Sequence, residues 1–142
     1  MRNSLIFATM ALFCALFVHS EEPVAHNVRT VERFVAAFNA HDSGAMAELV
    51  SDDVVWLSIT GKEVAVEVTG KSELVASMNT YFKSCPTCQS ELSRTISTPS
   101  RVSAIEIASW QGRSGSRSQR SISVYEFSDG VIQRVYYFPS EN

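Results

Sequence analysis

The sequence predicts an α+β fold: about three N-terminal helices packed in a strongly curved antiparallel sheet that forms a cone-shaped barrel. Three observations carry this. Two helical stripes separated by a short break occupy residues 27–50, a third follows a pair of strands, and long alternating strands fill residues 89–138. Helices placed in that order close one end of a curled sheet and leave a pocket inside it.

Residues 1–20 predict a signal peptide, leaving 21–142 as one domain. Arg2 gives a positive start, and Leu5 to Val18 form an apolar run of fourteen residues. Val18-His19-Ser20 offers acceptable side chains at the cleavage positions. Such a run suits a signal-peptide core better than a membrane span, and Phe13 is too large for lipoprotein processing at Cys14. Cleavage leaves eleven basic against fifteen acidic side chains, a formal charge of −4, on a periplasmic or secreted chain. That balance offers no electrostatic footprint for nucleic acid, and no membrane contact is expected after signal cleavage.

In the first helix, 27–39, Val28, Val31, Phe34, Val35 and Phe38 recur at three- and four-residue spacing, with Asn27 as its expected N-cap. Asp42 is placed to cap a short second helix, 43–50. Strands follow at 54–59 and at 63–69, where Val64, Val66 and Val68 alternate with Glu63, Ala65 and Glu67. The third helix, 72–83, carries Leu74, Val75, Met78, Tyr81 and Phe82. Four strands complete the chain at 89–97, 101–111, 118–127 and 131–138, the last two joined by an Asp129-Gly130 turn.

Few motifs survive scrutiny. Thr69-Gly70-Lys71-Ser72 resembles the end of a phosphate loop, but Ala65 stands where that loop needs its first glycine. Gly70 is expected only to start the third helix. Arg113, Arg117 and Arg120 fall in a Ser/Gly-rich stretch that reads as a solvated hairpin loop. His41-Asp42 and Asp52-Asp53 read as helix-break and turn residues. Cys85-Pro86-Thr87-Cys88 is the sharpest local motif. Export and its position after a helix C-terminus favour a structural disulfide over a redox-active pair, whose thiol pKa the helix dipole would raise. Two cysteines do not make a zinc site, so neither metal nor cofactor is expected.

The stretch ERFVAAFNAHDSGAMAELVSDDVVW, residues 32–56, together with Asp129-Gly130-Val131-Ile132, resembles the nuclear transport factor 2-like superfamily, in particular its SnoaL-like and ketosteroid-isomerase-like branches. The resemblance implies a pocket for a small, largely apolar molecule. It does not imply steroid isomerisation by the usual residues. The branch's tyrosine, aspartate base and protonated aspartate fall on Phe34, Ser58 and Ser123, none of which supplies the same chemistry.

Strand residues two apart share a face. The inward set is therefore expected to be Trp56 and Ser58, then Ala104, Glu106, Ala108 and Trp110, then Ser121, Ser123 and Tyr125, then Arg134, Tyr136 and Phe138. Phe34, Phe38 and Tyr81 would close the bottom and side. Glu106 is the candidate acid–base group, with Arg134 as its expected partner. The opposite face, with Ile105, Ile107, Ile122, Val124, Val135 and Tyr137, is expected to form a homodimer interface. A non-catalytic dimeric module that binds a ligand or a protein is the alternative, separated from the first reading by whether the cone holds an open cavity touching Glu106.

Overall fold

A computed structural model describes residues 23–140, so the expected signal peptide and Cys14 lie outside the described residues. The elements are α1 (Pro23–Asn39), α2 (Ser43–Ala47), β1 (Val50–Thr60), β2 (Glu63–Thr69), α3 (Lys71–Ser84), β3 (Gln89–Thr98), β4 (Arg101–Gly112), β5 (Gly115–Ser128) and β6 (Val131–Phe138). The fold is α+β: one curved, unclosed six-stranded sheet in the order β2-β1-β6-β5-β4-β3, with the helices against its inner face.

The stripe on α1 packs as its spacing requires. Val31, Phe34 and Val35 are buried, and Phe38 packs against the same core. Helix α1 begins four residues before the expected start, with Pro23 in its first turn, where a missing N–H costs nothing. Asn27 is therefore a buried helical residue rather than a cap, and its Nδ2 donates to the Pro99 carbonyl at 3.2 Å. Asp42 does cap α2, its Oδ1 accepting from the Ala45 N–H at 2.8 Å.

Helix α2 is shorter than expected, because β1 starts at Val50 and draws Asp52 and Asp53 into the strand as exposed residues. This early start makes β1 the parallel neighbour of β6, the one parallel pair in an otherwise antiparallel sheet. Gly70 opens α3 at φ +87°, a conformation few L-residues adopt. The Glu73 carboxylate accepts the Thr69 N–H at 2.7 Å, a further partner for the N-terminus of α3. The β4–β5 hairpin is tighter than its composition suggests, so Arg117 and Arg120 sit on β5 and only Arg113 belongs to the turn.

The largest departure is the phase of β6. Phe127 pairs with Ile132 and Glu126 with Arg134, so Gln133 is one residue extra on β6. Such a bulge flips every later side chain to the other face. Val135, 1% exposed, therefore points into the core, while Arg134, Tyr136 and Phe138 leave the inner face.

Candidate functional site

The cone encloses a cavity of about 280 Å³. Phe34, Val35 and Phe38 line it from α1, Met78 and Tyr81 from α3, and Trp56, Ser90, Glu106, Ala108, Gln119, Tyr125 and Tyr137 from the sheet. The rings form connected walls: Phe34 lies 6.2 Å from Trp56 and 6.1 Å from Tyr125, and Phe38 lies 5.9 Å from Tyr81, centroid to centroid. Tyr81 and Gln119 are exposed and stand at the mouth.

Glu106 is the polar centre of this lining. Its strand phase follows from Val102 and Ala104, buried on the same face. Oε1 accepts from Ser123 Oγ at 2.6 Å and from the Tyr125 hydroxyl, while Oε2 accepts from Ser90 Oγ at 3.2 Å. Register supplies the first two donors: Ser123 and Tyr125 alternate inward on β5, beside β4. Ser90 is fixed from outside the sheet. The Asn39 side chain donates to the Ser90 carbonyl at 2.8 Å and accepts its N–H at 2.7 Å, pinning β3 to the end of α1.

Burial pushes the Tyr125 hydroxyl well above its ordinary pKa, and the charge and hydrogen bond of Glu106 add to the shift. Tyr125 thus stays protonated and donates. Burial, reinforced by Tyr137, also raises Tyr81.

Arg134 is not the partner of Glu106. It lies on the outer face because of the β6 bulge, with Nη1 3.5 Å from Glu126 Oε2. Tyr136 goes with it and donates to the same Glu126 oxygen at 3.2 Å. Ser58 and Trp110 also fall outside the cavity lining, each two positions beyond a residue that does line it. Ser123 sits behind the lining, fully buried, and reaches the cavity through Glu106.

Sequence reasoning missed Tyr137, Gln119, Ser90, Val35 and Met78. Extending the β5 alternation two residues back from Ser121 finds Gln119, whereas Tyr137 becomes visible only once the bulge is known.

Cys85 and Cys88 are joined by a disulfide at the corner between α3 and β3. The Tyr81 hydroxyl lies 3.3 Å from Cys88 Sγ, which ties this corner to the cavity mouth. His41 stacks on Phe82, with centroids 4.6 Å apart, and donates from Nε2 to the Cys88 carbonyl at 3.2 Å. It makes no pair with Asp42, which caps α2.

The sequence profile of the SnoaL-like domain matches residues 31–135, most of the chain and all of the cavity-forming region except Tyr137. The chain belongs to the SnoaL-like domain family. Solved structures of the nuclear transport factor 2-like and ketosteroid-isomerase-like fold place it in the nuclear transport factor 2-like superfamily as well. A cystatin-fold protein from Novosphingobium aromaticivorans matches with a TM-score of 0.69 at 20% identity, over 78% of this SnoaL-like chain and 96% of its own. A nuclear transport factor 2-like protein from Mesorhizobium loti matches at 0.69 and 18% identity, over 87% and 98%. An LEH-like epoxide hydrolase from Mycobacterium tuberculosis matches at 0.66 and 16% identity, over 82% and 84%. At such identities the likeness establishes the SnoaL-like cone and not a reaction. No curated protein matches the sequence significantly.

Proposed function

We propose that this SnoaL-like domain is exported, binds a small, largely apolar molecule in its cone, and uses Glu106 as the acid–base group of a cofactor-free reaction of isomerase, cyclase or hydrolase type. The observation that carries the reading is the cavity of about 280 Å³ in which a carboxylate stands against an aromatic wall. Its volume is near the lower end of small-molecule sites, roughly 300 Å³. Tyr125 and Ser123 saturate Oε1, which orients the carboxylate and leaves Oε2 as the oxygen able to accept a proton. An epoxide hydrolase among the structural relatives supports chemistry within such a cone. Steroid isomerisation by the usual residues is no part of the proposal, since Phe34 and Ser123 lack the acid groups that chemistry needs.

Export is supported by the disulfide, a bond that persists in oxidising compartments, and no helix among the described residues is long and apolar enough to cross a membrane. Ile122, 53% exposed, and Phe138 border a second cavity on the outer face, with Ile105 beside them. That exposed apolar surface favours a homodimer through the outer sheet.

A thermal-shift screen of steroid-like, polyketide-like and terpenoid compounds tests the ligand reading, because a ligand of the folded state raises its apparent stability. Hits should stabilise the wild type and fail to stabilise Ala108→Phe, which fills the cavity. A screen without hits, or hits that the filled variant retains, would sink it.

A further inference from the structure

Six aromatic side chains and one carboxylate line the cone, and no lysine, arginine or histidine is among the lining residues. The three partners of Glu106 are hydroxyls, which orient its charge without cancelling it. Arg117 shares a β5 face with Gln119 but reaches toward the turn, its side chain packed against Gly112. The cavity thus combines one carboxylate with six aromatic rings, whose faces are able to receive a cation.

A carboxylate has about four acceptor positions. Two on Oε1 and one on Oε2 are taken, so one on Oε2 remains for a ligand. An anionic ligand would meet repulsion there, and a purely apolar one would strip water from the carboxylate with nothing in return. A cation answers both the open acceptor position and the ring faces.

We propose that the cone takes a small organic cation, a protonated amine on an apolar and preferably aromatic body, with its nitrogen seated between Glu106 Oε2 and the rings of Trp56, Tyr81 and Tyr137. This rests on the reading of the cone as a ligand pocket and names the chemistry of what fills it. Phe34, packed on Trp56, is left to face the apolar body, and the Tyr81 ring closes over the nitrogen from the cavity mouth. The disulfide reaches the site through the Tyr81 hydroxyl.

The test is calorimetric titration of the full mature protein at neutral pH with three probes of similar size: 2-phenylethylamine, 2-phenylethanol and phenylacetate. Tryptophan fluorescence gives an independent readout, with Trp110 replaced by Phe so that Trp56 alone reports. The amine should bind at least about tenfold tighter than the alcohol, as a desolvated cation over aromatic rings allows, with phenylacetate weakest. Glu106→Gln keeps an oxygen for Ser123 and Tyr125 and should bring the amine down to the alcohol's affinity.

Equal binding of alcohol and amine by the wild type overturns the cation inference and leaves the pocket reading intact. An amine preference that survives in Glu106→Gln also overturns it, because the anchor would lie elsewhere. If none of the probes binds at millimolar concentration the inference falls, whereas the pocket reading is decided separately by the broad screen and its filled variant. The wild-type comparison decides the matter even if the variant is unstable.

Discussion

Two glutamates on adjacent strands stand in opposite electrostatic worlds. Glu106, on the inner face of β4, takes three hydroxyl donors and, among the described residues, no cation. Glu126, on the outer face of β5, takes Arg101 Nη2 at 2.6 Å, Arg134 Nη1 at 3.5 Å and the Tyr136 hydroxyl. Burial raises the Glu126 carboxyl, but the hydrogen bonds from Arg101 and Tyr136 and the charges of both arginines outweigh that and hold it below its ordinary value. The outer cluster sets two half-exposed guanidiniums against its one carboxylate, so the charge of Glu126 is already answered and it needs no ligand. The inner one is satisfied in hydrogen bonds and unbalanced in charge. A carboxylate held in place but not neutralised, facing a cavity, is what a binding or acid–base group requires.

The largest expected effect breaks the inner cluster. Glu106→Ala leaves the hydroxyls of Ser123 and Tyr125, both almost wholly buried, without their acceptor. Each such orphaned group costs about 1–3 kcal/mol, so a loss of about 2–6 kcal/mol is expected in denaturant unfolding. Glu126→Ala, which leaves its arginines in water, should cost less than about 1 kcal/mol. Equal losses for the two would erase the distinction.

Glu106, Ser123 and Tyr125 were legible from sequence, because the alternation of Ala104, Ala108 and Trp110 set the phase of Glu106 along β4 and that of Ser121 to Tyr125 set β5, whereas the third donor, Ser90 on β3, was not. Nor was the place of Arg134. Ile132, Arg134 and Tyr136 read as one face by alternation, and only the pairing of Glu126 with Arg134 reveals Gln133 as a bulge. A bulge is a property of two strands together and leaves no mark in one. The parallel β1–β6 pair was hidden for the same reason, since it depends on β1 beginning at Val50. The α1 stripe, the Asp42 cap and the cysteine pair, all set by neighbours within a few residues, were legible.

Removal of the disulfide tests how far the inner site depends on its mouth. A cross-link spanning so few residues constrains the unfolded chain modestly, so Cys85→Ala/Cys88→Ala should cost at most about 2 kcal/mol. It should also weaken ligand binding, because the Tyr81 hydroxyl loses its Cys88 contact. Intact mass with and without reductant establishes the bond in the wild type. Reduction of insulin by the protein at a useful rate would contradict the structural role.

Tyr125→Phe should cost about 1.5–3 kcal/mol, a lost hydrogen bond to a charged group. Its pH dependence is more informative. The folded-state pKa of Tyr125 is raised above the ordinary 10.0, so its contribution is complete below pH 10.0 and is lost as pH rises toward the folded value. The stability gap between wild type and variant should therefore narrow above pH 10. A gap that stayed constant would mean that burial and Glu106 do not raise the Tyr125 pKa in the folded protein.

The smallest effect belongs to the outer cluster and has the opposite sign with pH. The folded-state pKa of Glu126 is lowered below the ordinary 4.5, so its contribution is present above that value and is lost as pH falls through the folded one. Glu126→Gln keeps an oxygen for Tyr136 but loses the charge that attracts Arg101 and Arg134. Wild type should exceed the variant slightly at pH 7 and converge with it as pH falls below 4.5 and through the folded-state value. Added salt should shrink the neutral-pH gap, because charges this close to water are screened within about 10 Å at 0.1 M ionic strength. Ligand affinity should be untouched throughout, since every atom of this cluster lies on the far side of the sheet from the cavity. An affinity that followed Glu126 would mean that the two faces are coupled through β5, and the comparison between the two glutamates would have to be redrawn.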